Sequence, residues 1–233
     1  LTLQVGPDLE GELLRGETLD HRITRSGALP HADAVRLFRQ LRDALGKAHA
    51  AGVLHLDLKP SNIFLMDGDD GDPATVKVLD FGIARVMESG RTHATATTQA
   101  GTFAWMAPEQ SDAGDKVSPA TDVWALGLIA FDVLLGRQYW LACNDESSVN
   151  QKRLIRESWF DPIVAPSERA RALGVSNAFP DGFDGWFARC VHRELPSRYR
   201  DADACLGALV TLLEARAPVT TVPPSHPPRI SAP

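Results

Sequence analysis

No apolar run in this sequence is long enough to cross a bilayer. The longest, around Val123–Phe131, falls well short of the roughly 18–20 residues a spanning helix needs. Residues 1–20 carry five acids and no apolar core, so no signal peptide is expected within them. Cysteine is scarce: Cys143, Cys190 and Cys205 are odd in number, far apart and in no CxxC pair. A disulfide framework or structural zinc site is therefore not expected, and a reducing, cytoplasmic setting is. Positive charge is also short, with Lys+Arg 24 against Asp+Glu 30 and a net charge of −6. Without a basic cluster, nucleic acid and anionic membrane surfaces are poor partners. His49 and His55, six apart, share no helix face on which to hold a metal. The acidic stretch from Asp67 lacks calcium-loop spacing: position five is Gly71, position six is Asp72, and no glutamate stands at twelve. It reads as a solvated hairpin tip.

What is present suits one large domain: 233 residues, 44% of them hydrophobic. LTLQV (1–5) reads as an edge strand, and residues 28–52 as a helix with Val35, Phe38, Leu41, Leu45 and Ala48 on one face and Gly52 closing it. VLHL (53–56), NIFLM (62–66) and TVKVLD (75–80) read as short strands, the last two forming a hairpin. Residues 83–101 show no periodicity and read as a surface loop. Residues 118–136 begin with Ser-Pro and are apolar nearly all round, which predicts a buried central helix. Helical patterns return over 152–216, broken at Pro162, Pro166, Pro180 and Pro196 and best formed at 181–193 and 201–216. Residues 217–233 hold six of the 16 prolines and read as an extended linker. The fold class is α+β, a mostly helical body carrying small β-hairpins.

Two stretches carry the chemistry, VLHLDLKPSN (53–62) and VKVLDFGIA (76–84). Phosphoryl transfer needs an acid to orient a hydroxyl, oxygen ligands for Mg²⁺, and positive charge against developing oxyanions. Asp57, Lys59 and Asn62 place such groups around one tight loop, and Asp80 ends the next hairpin. Each short motif alone would be an ordinary turn or strand exit; together, with a hairpin between them, they point to function.

These residues resemble the C-terminal lobe of a eukaryotic-like serine/threonine protein kinase of the bacterial type. HLDLKPSN resembles the catalytic loop, DFG (80–82) the metal-binding motif, GTFAWMAPE (101–109) the end of the activation segment, and DVWALG (122–127) the start of the central helix, in the family's order. The resemblance implies a protein-kinase-like fold with the N-terminal lobe reduced to its last strands (1–11), hinge and C-terminal lobe over 12–216, and the linker beyond. It implies ATP and Mg²⁺ as cofactors and proteins as substrates. Asp57 would be the catalytic base, Lys59 would meet the γ-phosphate, and Asn62 and Asp80 would hold Mg²⁺. Thr102 would brace Asp57 and Lys59. ELLRG (12–16) resembles the hinge, with Glu12 and Leu14 against the adenine and Phe64 beneath it. His55, Phe81, Gly82 and Asp122 would be structural, and Glu109 would pair with Arg198. Lysine at 59 implies serine or threonine acceptors, because tyrosine kinases place alanine or arginine near that position.

Departures from the pattern matter as well. Leu56 stands where most of the family has an arginine that pairs with a phosphorylated activation loop, and leucine can form no such pair. Thr92, Thr95, Thr97 and Thr98 remain candidate phosphosites, but their phosphate is expected to matter less here. Glu10 and Gly11 stand where apolar residues normally line the adenine pocket. The chain has no GxGxxG, no VAIK-like run, and only residues 1–11 ahead of the hinge. Residue 1 is leucine, so the start is expected to be a cut, and this chain alone to transfer phosphate weakly or not at all. Two readings stand: a kinase catalytic lobe, or a non-catalytic kinase-like module that binds a partner protein through its helical face. A small-molecule phosphotransferase is a third, which GTFAWMAPE, the family's protein-substrate platform, argues against.

Overall fold

The computed structural model describes residues 15–67, 75–81, 85–86, 103–111, 117–144, 151–175 and 179–215. The readings for 1–5, Glu10, Gly11, the hairpin tip 68–74 and the linker 217–233 lie outside them. Strand β1 (Gly16–Thr18) leads directly into helix α1 (Leu19–Ser26), capped by the Thr18 hydroxyl, which accepts from the His21 N–H. The sequence reading did not anticipate α1. Helix α2 (His31–Ala50) is shorter than the expected 28–52, because Pro30 is its extended N-cap and Gly52 lies beyond its C-cap at Ala51. Strands β2 (Val53–Leu54), β3 (Ile63–Met66) and β4 (Thr75–Val78) follow.

Strand β3 is central in a three-stranded antiparallel sheet, with Phe64 opposite Thr18 on β1 and Lys77 on β4. Within the stretch expected to be all loop, Arg85–Val86 form a strand, β5, pairing with β2 at Val53↔Val86 and Leu54↔Arg85. A two-residue pairing across more than thirty residues of chain leaves no periodic signal in the sequence, which is why the loop reading misses it.

Helix α3 (Pro119–Leu135) runs through the centre with its residues from Ala120 to Leu135 all buried. Ser118 caps it, Pro119 sits at the first turn where a missing N–H is harmless, and Gly136 closes it in the left-handed conformation at φ 71°. Helices α2, α6 (Phe183–Cys190) and α7 (Ala202–Ala215) pack against it, while α4 (Gln151–Ile155) runs into a π-helical continuation, Arg156–Phe160, and α5 (Pro166–Ala172) packs on α6. Pro166 starts α5 instead of breaking a helix, and Pro196 lies inside the 3₁₀ turn Leu195–Ser197. Phe131 of α3 forms an aromatic cluster with Tyr139, Phe179, Phe183 and Phe187, edge to face with Tyr139 at 5.2 Å. Trp140 belongs to this core, while Phe160 is 73% exposed. Among the described residues, no helix is long and apolar enough to cross a membrane.

Candidate active site

Residues 55–62 link β2 to β3 in a tight loop. Lys59 is extended, as the residue before a proline prefers, and Pro60 opens a single 3₁₀ turn, Pro60–Asn62. At the turn's end Asn62 donates from Nδ2 to the Asp57 carbonyl at 2.8 Å and to Asp57 Oδ2 at 3.1 Å. Lys59 Nζ reaches the same Oδ2 at 2.9 Å. Asp57 and Lys59 side chains are only 17% and 21% exposed, so the interaction is stronger than in open water. Because the Asn62 amide nitrogen faces Asp57, its oxygen is turned elsewhere.

The loop is held from below by Asp122, in the first turn of α3. Its Oδ2 accepts the His55 N–H at 2.8 Å and its Oδ1 the Leu56 N–H at 2.8 Å. His49, from the last turn of α2, adds a third contact, Nε2 to Oδ2 at 2.9 Å. The Ala202 N–H donates to His49 Nδ1 at 3.1 Å, so the proton sits on Nε2 and His49 donates to Asp122. A buried carboxylate is thus matched by three donors. The Asp57 N–H faces His55 Nδ1 at 3.3 Å, so His55 Nε2 donates to the Leu79 carbonyl at 2.9 Å. The His55 ring also packs on Phe81 at 4.8 Å.

Two residues here adopt the left-handed conformation without being glycine: Leu56 at φ 63° and Asp80 at φ 55°. Each costs on the order of 1–3 kcal/mol, and such strain persists only where surroundings over-determine it. Leu79 is fixed on both sides just before Asp80: its N–H donates to the Asn62 carbonyl at 2.8 Å and its carbonyl accepts from His55. This contact extends the β3–β4 ladder past Ile63↔Val78, leaving Asp80 exposed one residue beyond it, near Asn62.

Phe64 is half-buried in the middle of the sheet. Glu109 and Arg198 form a doubly bonded pair, with Nη1 to Oε1 at 2.7 Å and Nη2 to Oε2 at 2.8 Å. Trp140 Nε1 anchors the stretch ahead of Glu109 by donating to the Ala104 carbonyl at 2.7 Å. Glu12, Leu14, Gly82, Thr92, Thr95, Thr97, Thr98 and Thr102 lie outside the described residues. Among the described residues no cluster of three His, Cys, Asp or Glu side chains could hold a metal. His49, read from the sequence only as an unsuitable metal ligand, holds Asp122 beneath this loop, and Gln110, absent from the sequence reading, contacts the loop directly. Gln110 had a local signal, because a Gln at the third position of a turn can bond back to the N-cap N–H.

The Protein kinase domain model matches residues 9–195. The chain is 32% identical over 211 residues to the serine/threonine-protein kinase PknL of Mycobacterium tuberculosis, covering 91% of this chain and 48% of that protein. It is 45% identical over 117 residues to the serine/threonine-protein kinase Pkn1 of Myxococcus xanthus, covering 50% of this chain and 16% of the relative. The Mycobacterium tuberculosis kinase PknA is 36% identical over 127 residues, 54% of this chain and 28% of that protein. The chain therefore spans about half the length or less of these relatives. The domain match and the relatives agree: this chain belongs to the protein kinase family, among the serine/threonine kinases of the bacterial type.

Proposed function

We propose that this chain provides the catalytic lobe for transfer of the ATP γ-phosphoryl group to serine or threonine hydroxyls of protein substrates. The observation that carries this reading is the convergence of Lys59 Nζ and Asn62 Nδ2 on Asp57 Oδ2 in a loop clamped by Asp122. Among the described residues no donor is directed at Asp57 Oδ1, leaving it for an acceptor hydroxyl. The hydroxyl oxygen forms the new bond to phosphorus, the bond to the ADP oxygen breaks, and the hydroxyl proton passes to Asp57. Lys59 holds Asp57 in place and offers positive charge to the transferred group. Thr102 would brace both.

Asn62 Oδ1 and the Asp80 carboxylate are hard oxygen donors and fit Mg²⁺, which takes few protein ligands and completes its shell with phosphate and water. When bound, the metal neutralises phosphate charge. Phe64 would support the adenine, with Glu12 and Leu14 at the hinge, and residues 101–109 would receive the protein substrate. Phosphorylation of Thr92, Thr95, Thr97 or Thr98 would matter less than in kinases with an arginine at the place of Leu56, since leucine offers no partner for it. A reducing cytoplasm, which supplies ATP, is the expected setting. The test is to incubate the full-length protein with Mg²⁺, labelled ATP and a general protein acceptor. Phosphoserine or phosphothreonine is expected. Nucleotide or partner binding without transfer would instead support the non-catalytic binding module.

A further inference from the structure

Leu56 lies directly before Asp57 and is left-handed at φ 63°, so something must hold it there. Its N–H is taken by Asp122 at 2.8 Å. Its carbonyl is taken by a second side chain from a different part of the fold: Gln110 Nε2 donates to Leu56 O at 2.7 Å. The orientation of Gln110 is fixed, because its Oε1 accepts the Ala107 N–H at 3.0 Å and must therefore be the oxygen. Gln110 ends the 3₁₀ turn Pro108–Gln110, whose Glu109 is locked onto buried Arg198. Arg198 in turn donates to the carbonyls of Ala120 at 3.1 Å and His192 at 2.6 Å. The turn is thereby fastened to the helical body on one side, and Gln110 reaches from it to the loop on the other.

We infer that Gln110 is a positioning residue for Asp57, a strut that sets the catalytic loop from the 103–110 segment without any phosphate. Leu56 has no side-chain group with which a phosphorylated segment could make that link. The Gln110 carboxamide makes it through the Leu56 backbone, and the link is present with no phosphate on the chain. The activity part of this inference rests on the kinase reading; the structural part does not.

The test compares Gln110→Ala, Gln110→Glu and the control Ser111→Ala with the parent, all in the full-length protein. Gln110→Glu keeps an acceptor for the Ala107 N–H and loses the donor to Leu56 O, so it isolates the strut if Gln110→Ala fails to fold. Two quantities are read: kcat and KM for ATP, and amide hydrogen exchange at Leu56 and Asp57. Both Gln110 variants should lower kcat on the order of 10–100-fold with KM for ATP unchanged, as expected when a reacting group is displaced by a fraction of an ångström. Exchange at the two amides should quicken about tenfold, reflecting local opening, while Ser111→Ala leaves both readouts unchanged. Unchanged exchange in the Gln110 variants overturns the inference whatever the activity does. An unchanged kcat alongside faster exchange also overturns it. If the parent transfers no phosphate, the kinase reading fails, and exchange alone still decides the strut.

Discussion

Arg198 meets Glu109 through two parallel hydrogen bonds across 89 residues of chain, with the guanidinium wholly removed from solvent. The planar fork also lies 5.1 Å over the Trp124 ring. Pairing of this kind is bidentate and geometrically specific, which suits a joint between the Pro108–Gln110 turn and the helical body.

Removing one partner should cost far more than removing both. Glu109→Leu strands a buried guanidinium and should lower stability by about 3–5 kcal/mol. Glu109→Leu combined with Arg198→Met should recover much of that loss. Urea unfolding midpoints of the two variants check this, and equal losses would show that the pair is not coupled.

Asp122→Asn replaces one of two accepting oxygens with a donor. Whichever way the amide turns, a nitrogen then faces an N–H from Leu56, or faces His55 and His49. We expect kcat to fall on the order of 10²-fold as the loop shifts. Stability should fall by about 1–3 kcal/mol. Steady-state kinetics and urea midpoints of the full-length variant read both quantities.

Asp132, buried in α3, has its carboxyl pushed up from its ordinary value of 3.8 to about 7 by burial, with the negative Asp20 adding to it. Between those two values the native state keeps a proton that the unfolded chain has released. Stability therefore falls as pH rises through that window, by about 1.4 kcal/mol for each unit. Asp132→Asn removes this loss. The variant should be close to the parent at pH 4 and clearly more stable at pH 8. A pH-independent difference in unfolding midpoints would contradict this.

Much of the helical body was legible because its signals are local. Ser118-Pro119 opens α3 and Gly136 closes it, while Leu41 and Leu45 mark the buried face of α2. The order of Asp57, Lys59, Asn62 and Asp80 also points to a single site. What could not be read depends on distant contacts. The left-handed backbones of Leu56 and Asp80 run against local preference and are imposed by Asp122, Gln110 and His55. His49 was weighed only as a metal ligand by its spacing from His55, whereas its ring bridges the start of α7 to Asp122. Helix α1 was missed although Thr18 and Asp20 form a readable start signal, because eight residues give too few turns for a period.

The central claim is that Asp57 serves the transfer of phosphate. Its most direct test is single-turnover phosphate transfer by the full-length protein, parent against Asp57→Asn, with ATP affinity measured alongside. Loss of transfer by at least about 10²-fold with ATP affinity kept is the predicted result, the size seen for removing a positioned acid or base. Equal transfer by the two proteins would contradict it.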